Sequence, residues 1–172
     1  MDKHRRILFL DLEWDQKKNW FTGNEKIMEI GATLAEGAEI TSFFTFVQHF
    51  GKVNIHTKQM LRANYMEIQK APLLPEACKK LRKFAGEPDL IVIWSAYAVK
   101  MFSKMCNISG IEYSAPVLVL QDELSKDEYF GKQISFEKLS LSLVPEYDPA
   151  KAHNAGCDAK CLCSLYMELQ KL

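Results

Sequence analysis

The sequence predicts an α/β domain with a mixed sheet, and three observations carry that reading. Strand-like segments crowd the first 48 residues, joined by connections too short for a crossover. From residue 90 onward, short continuous apolar runs alternate with helical patterns. The chain of 172 residues suits one domain with a single core, spanning residues 1–172. An antiparallel meander followed by β-α units makes a mixed sheet with helices on its faces.

The elements follow in order. Ile7-Leu8-Phe9-Leu10 is an apolar run that continues into Asp11-Leu12-Glu13 and reads as a buried first strand. Trp14 to Glu25 is polar, contains Gly23-Asn24 and reads as a loop or hairpin connection. Lys26–Leu34 is a second strand, Ala35–Ala38 a turn, and Glu39–Gln48, β-branched and aromatic, a third strand. Thr57–Gln69 has mixed helical spacing. Pro75 opens a helix through about Phe84, and Gly86 and Pro88 end it. Leu90–Trp94 is a second buried strand, Val99–Cys106 a helix, and Val117–Leu120 a third buried strand before the acidic Gln121-Asp122-Glu123. Strands starting near Ile7, Leu90 and Val117 are expected to be central and parallel. Ser135 caps a helix that ends before Pro145, and a last helix runs from about Ala155.

Composition excludes little. Formal net charge is zero, so any phosphate binding must come from local patches or metal ions rather than bulk electrostatics. Basic clusters stand at Lys17-Lys18 and Lys79–Lys83, the second expected to be a solvated helix face. No apolar run approaches the ~20 residues that span a bilayer. The basic N-terminus leads into a short apolar segment that ends in acids, which does not read as a secretory signal. Five cysteines, an odd number, argue for reduced thiols and a cytoplasmic location.

The chemistry starts at the end of the first strand. Asp11 and Glu13 are two apart and project to one face. Two carboxylates there repel each other and resist desolvation, and a bound cation is the simplest compensation. His153 and Asp158 lie five apart at the start of the last helix. An imidazole suits proton abstraction at neutral pH. Asp11, Glu13 and Asp158 make an all-oxygen set, which favours Mg²⁺ or Mn²⁺ over zinc. A soft-metal site from His153, Cys157 and Cys161, with Cys163 nearby, is the weaker alternative because no Cys-x2-Cys pair exists. Trp14 is either a base platform or a cover on the core edge. Trp94 and Tyr97 are read as core packing.

These residues resemble the DEDDh family of 3′-5′ exonucleases, which has a ribonuclease-H-like fold and whose members include ribonuclease T and the bacterial polymerase III proofreading subunit. The resemblance rests on Phe9-Leu10-Asp11-Leu12-Glu13, on Ile27-Met28-Glu29-Ile30-Gly31-Ala32, on Ala71-Pro72 before a helix, and on His153-Asn154-Ala155-Gly156-Cys157-Asp158-Ala159. It covers essentially the whole chain. It implies catalytic Asp11, Glu13, His153 and Asp158, two Mg²⁺ or Mn²⁺ ions, and a DNA or RNA 3′ end, single-stranded, as partner. Leu12, through its backbone, and Trp14 are implied contacts to the terminal nucleotide.

The sequence departs from the family in its second motif. In Trp94-Ser95-Ala96-Tyr97-Ala98-Val99-Lys100-Met101-Phe102 the fourth acid is replaced by Ala98. The second ion is therefore expected to bind weakly and turnover to be low. An introduced Asp→Ala and a natural degenerate member kept for nucleic-acid binding or regulation both explain Ala98. The intact remaining ligands favour the first. Asp89, Asp122 and Glu123 are candidate stand-ins. A further alternative is a trimming subunit of a larger nucleic-acid-processing complex.

Overall fold

The structure is a computed structural model describing residues 5–15, 26–51, 53–61, 65–126 and 134–171, without the side chains of residues 56, 60, 61 and 65. Lys17-Lys18 lie outside these residues. Five strands form one sheet: β1 (Arg6–Trp14), β2 (Ile27–Glu36), β3 (Glu39–Phe46), β4 (Leu90–Ile93) and β5 (Val117–Val119), in the order β3-β2-β1-β4-β5. The first three are antiparallel, and β4 and β5 run parallel to β1 and to each other. The mixed sheet is the predicted one.

Alternation along β1 splits the core into two layers. Leu8, Leu10 and Leu12 belong to a buried cluster with Leu81 of α3 (Leu74–Ala85) and Met101 and Met105 of α4 (Ala96–Ser109). Ile7 and Phe9 face the other way, into a cluster with Leu162, Leu165 and Tyr166 of α7 (Ala155–Leu169). The Phe9 and Tyr166 rings meet at 5.4 Å. Fully buried side chains such as Phe9 and Leu162 stabilise by roughly 1.5–3 kcal/mol each. Asp11 and Glu13 continue the Ile7–Phe9 face beyond the apolar stretch.

One register sets up the site. β4 pairs with β1 from Ile7↔Leu90 to Leu10↔Ile93 and then stops. Asp11 to Trp14 run on past the end of β4, supported by β2 alone up to an irregularity between Glu13 and Trp14. The cleft opens at the carboxyl end of central strands, where open α/β sheets collect their sites.

Several sequence expectations need correction. The helix after β4 starts at Ala96, not Val99, because Ser95 is an N-cap: its Oγ accepts the Ala98 N–H at 3.2 Å. β5 is parallel but not central. It is an edge strand with Val117 exposed, because among the described residues no strand follows it in the sheet. Leu120 does not end β5 but opens a short helix, α5 (Leu120–Leu124), which carries Asp122 and Glu123. The Thr57–Gln69 stretch gives two short helices, α1 (Ile55–Leu61) and α2 (Tyr65–Lys70). A 3-10 turn at Pro149–Lys151 follows α6 (Phe136–Leu143). On α3, Lys79, Lys80 and Lys83 are exposed as expected. Arg82 instead bonds Gly86 O and Glu87 and lies 5.0 Å from the Tyr113 ring centroid. No helix among the described residues is long and apolar enough to cross a membrane.

Candidate active site

The last helix reaches the end of β1 because its first turn is seated on β2. Asn154 caps α7, its Oδ1 accepting the Cys157 N–H at 3.0 Å. The Ala155 N–H donates to Glu29 Oε2 at 3.0 Å. Below it, Gly31 leaves no room for a side chain: a Cβ there would lie 1.9 Å from Ala155 O. Asp158 follows in the first turn, its N–H bonded to Asn154 O at 2.9 Å, and its carboxylate faces β1. One carboxylate oxygen from each of Asp11, Glu13 and Asp158 lies within 4.8 Å of the others. Among the described residues this is the one group of three or more His, Cys, Asp or Glu that comes together so. The soft-metal alternative therefore falls. Cys161 and Cys163 are buried in the α7 layer, while His153 turns toward Glu13.

His153 sits just before the helix with a left-handed backbone, φ 63°. Its N–H donates to Asp158 Oδ2 at 2.9 Å, which holds this unusual conformation. Its ring Nδ1 is 3.8 Å from Glu13 Oε1. The facing Glu13 carboxylate raises the imidazole pKa against the opposing pull of burial.

The acids are electrostatically uncompensated. Burial, then Glu13 and Asp158, push the Asp11 carboxyl well above its usual range. Burial and Glu13 lift Asp158 to about 6, although the His153 N–H bond pulls the other way. Burial lifts Glu29 to about 7, with the Ala155 N–H opposing it. Asp11, Glu13 and Asp158 line a cavity of about 290 Å³, and no Lys or Arg is among its described lining residues. Three converging carboxylates, with no Lys or Arg among the described residues around them, fit a divalent ion of the oxygen-seeking kind.

The structure places the remaining predicted residues differently. The Leu12 side chain is buried in the α3/α4 layer, so only its backbone is offered to the cleft. Its backbone N–H lowers the Asp11 pKa against the larger effect of burial. Trp14 packs on Tyr97 with ring centroids 5.1 Å apart, and its Nε1 is buried without a partner among the described residues. Ala98 is buried in the same cluster as Leu12 and Met101. The stand-ins are elsewhere: Asp89 Oδ2 accepts the Arg6 N–H at the far end of β1, and Asp122 and Glu123 are exposed on α5. Trp94, read as core packing, meets Phe136 at 5.1 Å, and both also line the acid cavity. Phe136 and Tyr147 escaped the sequence reading, and Glu29 entered it only within a motif, with no role of its own. For Glu29 a signal existed, an acid inside an otherwise apolar strand. For the other two, nothing local marks them.

No family model matches the sequence, and no curated protein sequence does. Solved structures do match. The nuclease domain of 3′hExo, a DEDDh family member, bound to rAMP, superposes with a TM-score of 0.81 at 12% identity, covering 99% of this chain and 94% of that one. A 3′-exonuclease with 3′-end specific recognition of histone mRNA stem-loop gives 0.80 at 13%, covering 99% and 84%. The E. coli ExoI–ssDNA complex, in a zinc-bound form, gives 0.72 at 10%, covering 98% of this chain and 41% of that one. At these identities the likeness establishes the fold, a ribonuclease-H-like mixed sheet shared with exonucleases.

Proposed function

We propose that this chain is a metal-dependent 3′-5′ exonuclease domain of the DEDDh type, acting on single-stranded DNA or RNA ends, with turnover held low by Ala98. The observation that carries the reading is the convergence of Asp11, Glu13 and Asp158 from β1 and α7, with His153 beside them. The fold shared with nucleases that bind RNA stem-loops and single-stranded DNA supports it.

In this reading Asp11, Glu13 and Asp158 would hold Mg²⁺ or Mn²⁺ through carboxylate oxygens. Such ions orient the attacking water and stabilise charge on the transferring phosphoryl group. His153 is the base. Its Nδ1 lies 3.8 Å from Glu13 Oε1, which leaves Nε2 to take the proton of the attacking water. The water oxygen bonds to phosphorus as the bond to the 3′ oxygen breaks. The released product is a nucleoside 5′-monophosphate. The Leu12 backbone and Trp14 contact the terminal nucleotide. Trp14 must leave Tyr97 or share it to stack on a base, a contact worth ~1–3 kcal/mol.

Ala98 supports a second reading, a nucleic-acid-binding or regulatory chain without turnover. Ala98→Asp separates the two. Assayed on a 3′-labelled oligonucleotide with Mg²⁺ or Mn²⁺, the variant is expected to gain activity by orders of magnitude and lose it again on Asp11→Ala. No gain over the parent, with the oligonucleotide still retained, selects the binding reading. Co-migration with other chains of a processing complex tests the trimming-subunit alternative.

A further inference from the structure

The mechanism above leaves one buried acid unused. Glu29 is fully buried on β2, directly opposite Glu13 in the ladder. Burying a carboxyl is costly unless it is bonded, yet only Oε2 has a partner, the Ala155 N–H. Oε1 is buried with none among the described residues. An apolar residue would suit the strand better if packing were the only demand. Two residues along the same face, Gly31 lets the Ala155 carbonyl rest directly on the strand. The other side is closed as well: a Cβ at Gly156 would lie 3.0 Å from the Phe44 ring. The first turn of α7 is therefore fixed in depth by Gly31 and along its axis by Glu29. His153 and Asp158 flank that turn and are joined by the 2.9 Å bond between them.

We infer that Glu29 is a positioning residue, whose bond to the Ala155 N–H, together with the Gly31 seat, sets where Asp158 and His153 stand relative to Asp11 and Glu13. A carboxylate at a helix N-terminus suits this role, since the first-turn amides lack partners of their own. The inference rests on the acid cluster being a nuclease metal site. The seat itself is measurable without that premise.

The test compares Glu29→Gln, which keeps an acceptor oxygen, with Glu29→Leu, which removes it, and Glu29→Asp, which is too short to reach. Amide hydrogen exchange is read at Ala155 and His153 in the full chain, and Mn²⁺ affinity is read by titration. Glu29→Leu should keep or raise the melting temperature, because an uncompensated carboxyl is gone. It should nevertheless speed exchange at both amides at least 10-fold and weaken Mn²⁺ by about 10–100-fold, the usual scale for partners behind a metal ligand. Glu29→Asp should behave alike, and Glu29→Gln should stay within about 3-fold of the parent by the same measure. A packing role alone would move stability and leave exchange at His153 and Mn²⁺ affinity unchanged, and that result overturns the inference. Loss in Glu29→Gln equal to that in Glu29→Leu also overturns it. If the parent binds no Mn²⁺, the metal-site reading fails, and exchange at Ala155 and His153 alone decides the fate of the seat.

Discussion

The Asp158 carboxylate accepts the backbone N–H of His153 at 2.9 Å, so a metal-ligand candidate also holds the candidate base in a left-handed conformation. A non-glycine residue there stores roughly 1–2 kcal/mol. His153→Gly should therefore leave folding stability unchanged or raise it by about 1 kcal/mol in urea unfolding. In the Ala98→Asp background the same change should cost about 10²–10⁴ in rate on a labelled oligonucleotide. A variant that keeps its rate removes His153 as the base.

Metal-free stability should fall as pH rises from about 4 to about 7. Asp158 and Glu29 titrate near 6 and 7 in the folded protein, against 3.8 and 4.5 in the absence of these surroundings. Both are raised acids, so the folded state binds more protons than the unfolded chain across that window. Each group contributes on the order of 2–3 kcal/mol, present at low pH and lost as pH rises through its folded value. His153, also raised, adds in the same direction. Urea midpoints between pH 4 and 8 check this; a rise toward neutrality contradicts the uncompensated-acid picture.

Mn²⁺ should reverse that loss. Ligand at 100 times its dissociation constant stabilises by about 2.7 kcal/mol, or roughly 5–10 °C at this chain length. Asp158→Asn keeps an acceptor for the His153 N–H but removes a ligand charge. It should melt at or above the metal-free parent at pH 7 and show no more than a small Mn²⁺ response. Thermal melts with and without Mn²⁺ decide the matter, and an undiminished response in the variant rules Asp158 out as a ligand.

Gly31→Ala should be severe for a residue that touches no substrate. The added methyl would meet the Ala155 carbonyl at 1.9 Å, and a backbone atom has little room to yield. Overpacking of this kind costs typically 1–3 kcal/mol or more. The expected result is a lower urea midpoint together with weakened Mn²⁺ binding, because α7 must lift from β2.

The sequence made the sheet and three of the site acids legible for a simple reason. Both depend on local pattern: the apolar run before Asp11, the two-residue spacing to Glu13, and the short connections that force a meander. What stayed hidden depends on tertiary placement. Ser95 acts as a cap only through the approach of the Ala98 N–H, which hydrophobic spacing from Val99 onward does not show. β5 has the apolar look of a central strand, but nothing in Val117-Leu118-Val119 says that no neighbour follows it. Phe136 and Tyr147 come to the cavity from segments far from either motif. Trp94 packs in the core as read, and that it also lines the cleft depends on tertiary placement too.

β1 outruns β4 by four residues, and that overrun has an experimental use. Beyond Leu10 the strand is laddered on one edge only, against β2. Leu8 and Leu10, paired on both sides, should exchange their amide protons at the slowest rate in the chain. The four residues past them form a built-in reporter. Their exchange, read against the doubly paired half of the same strand, registers occupancy of the cleft without a label, a substrate or any turnover.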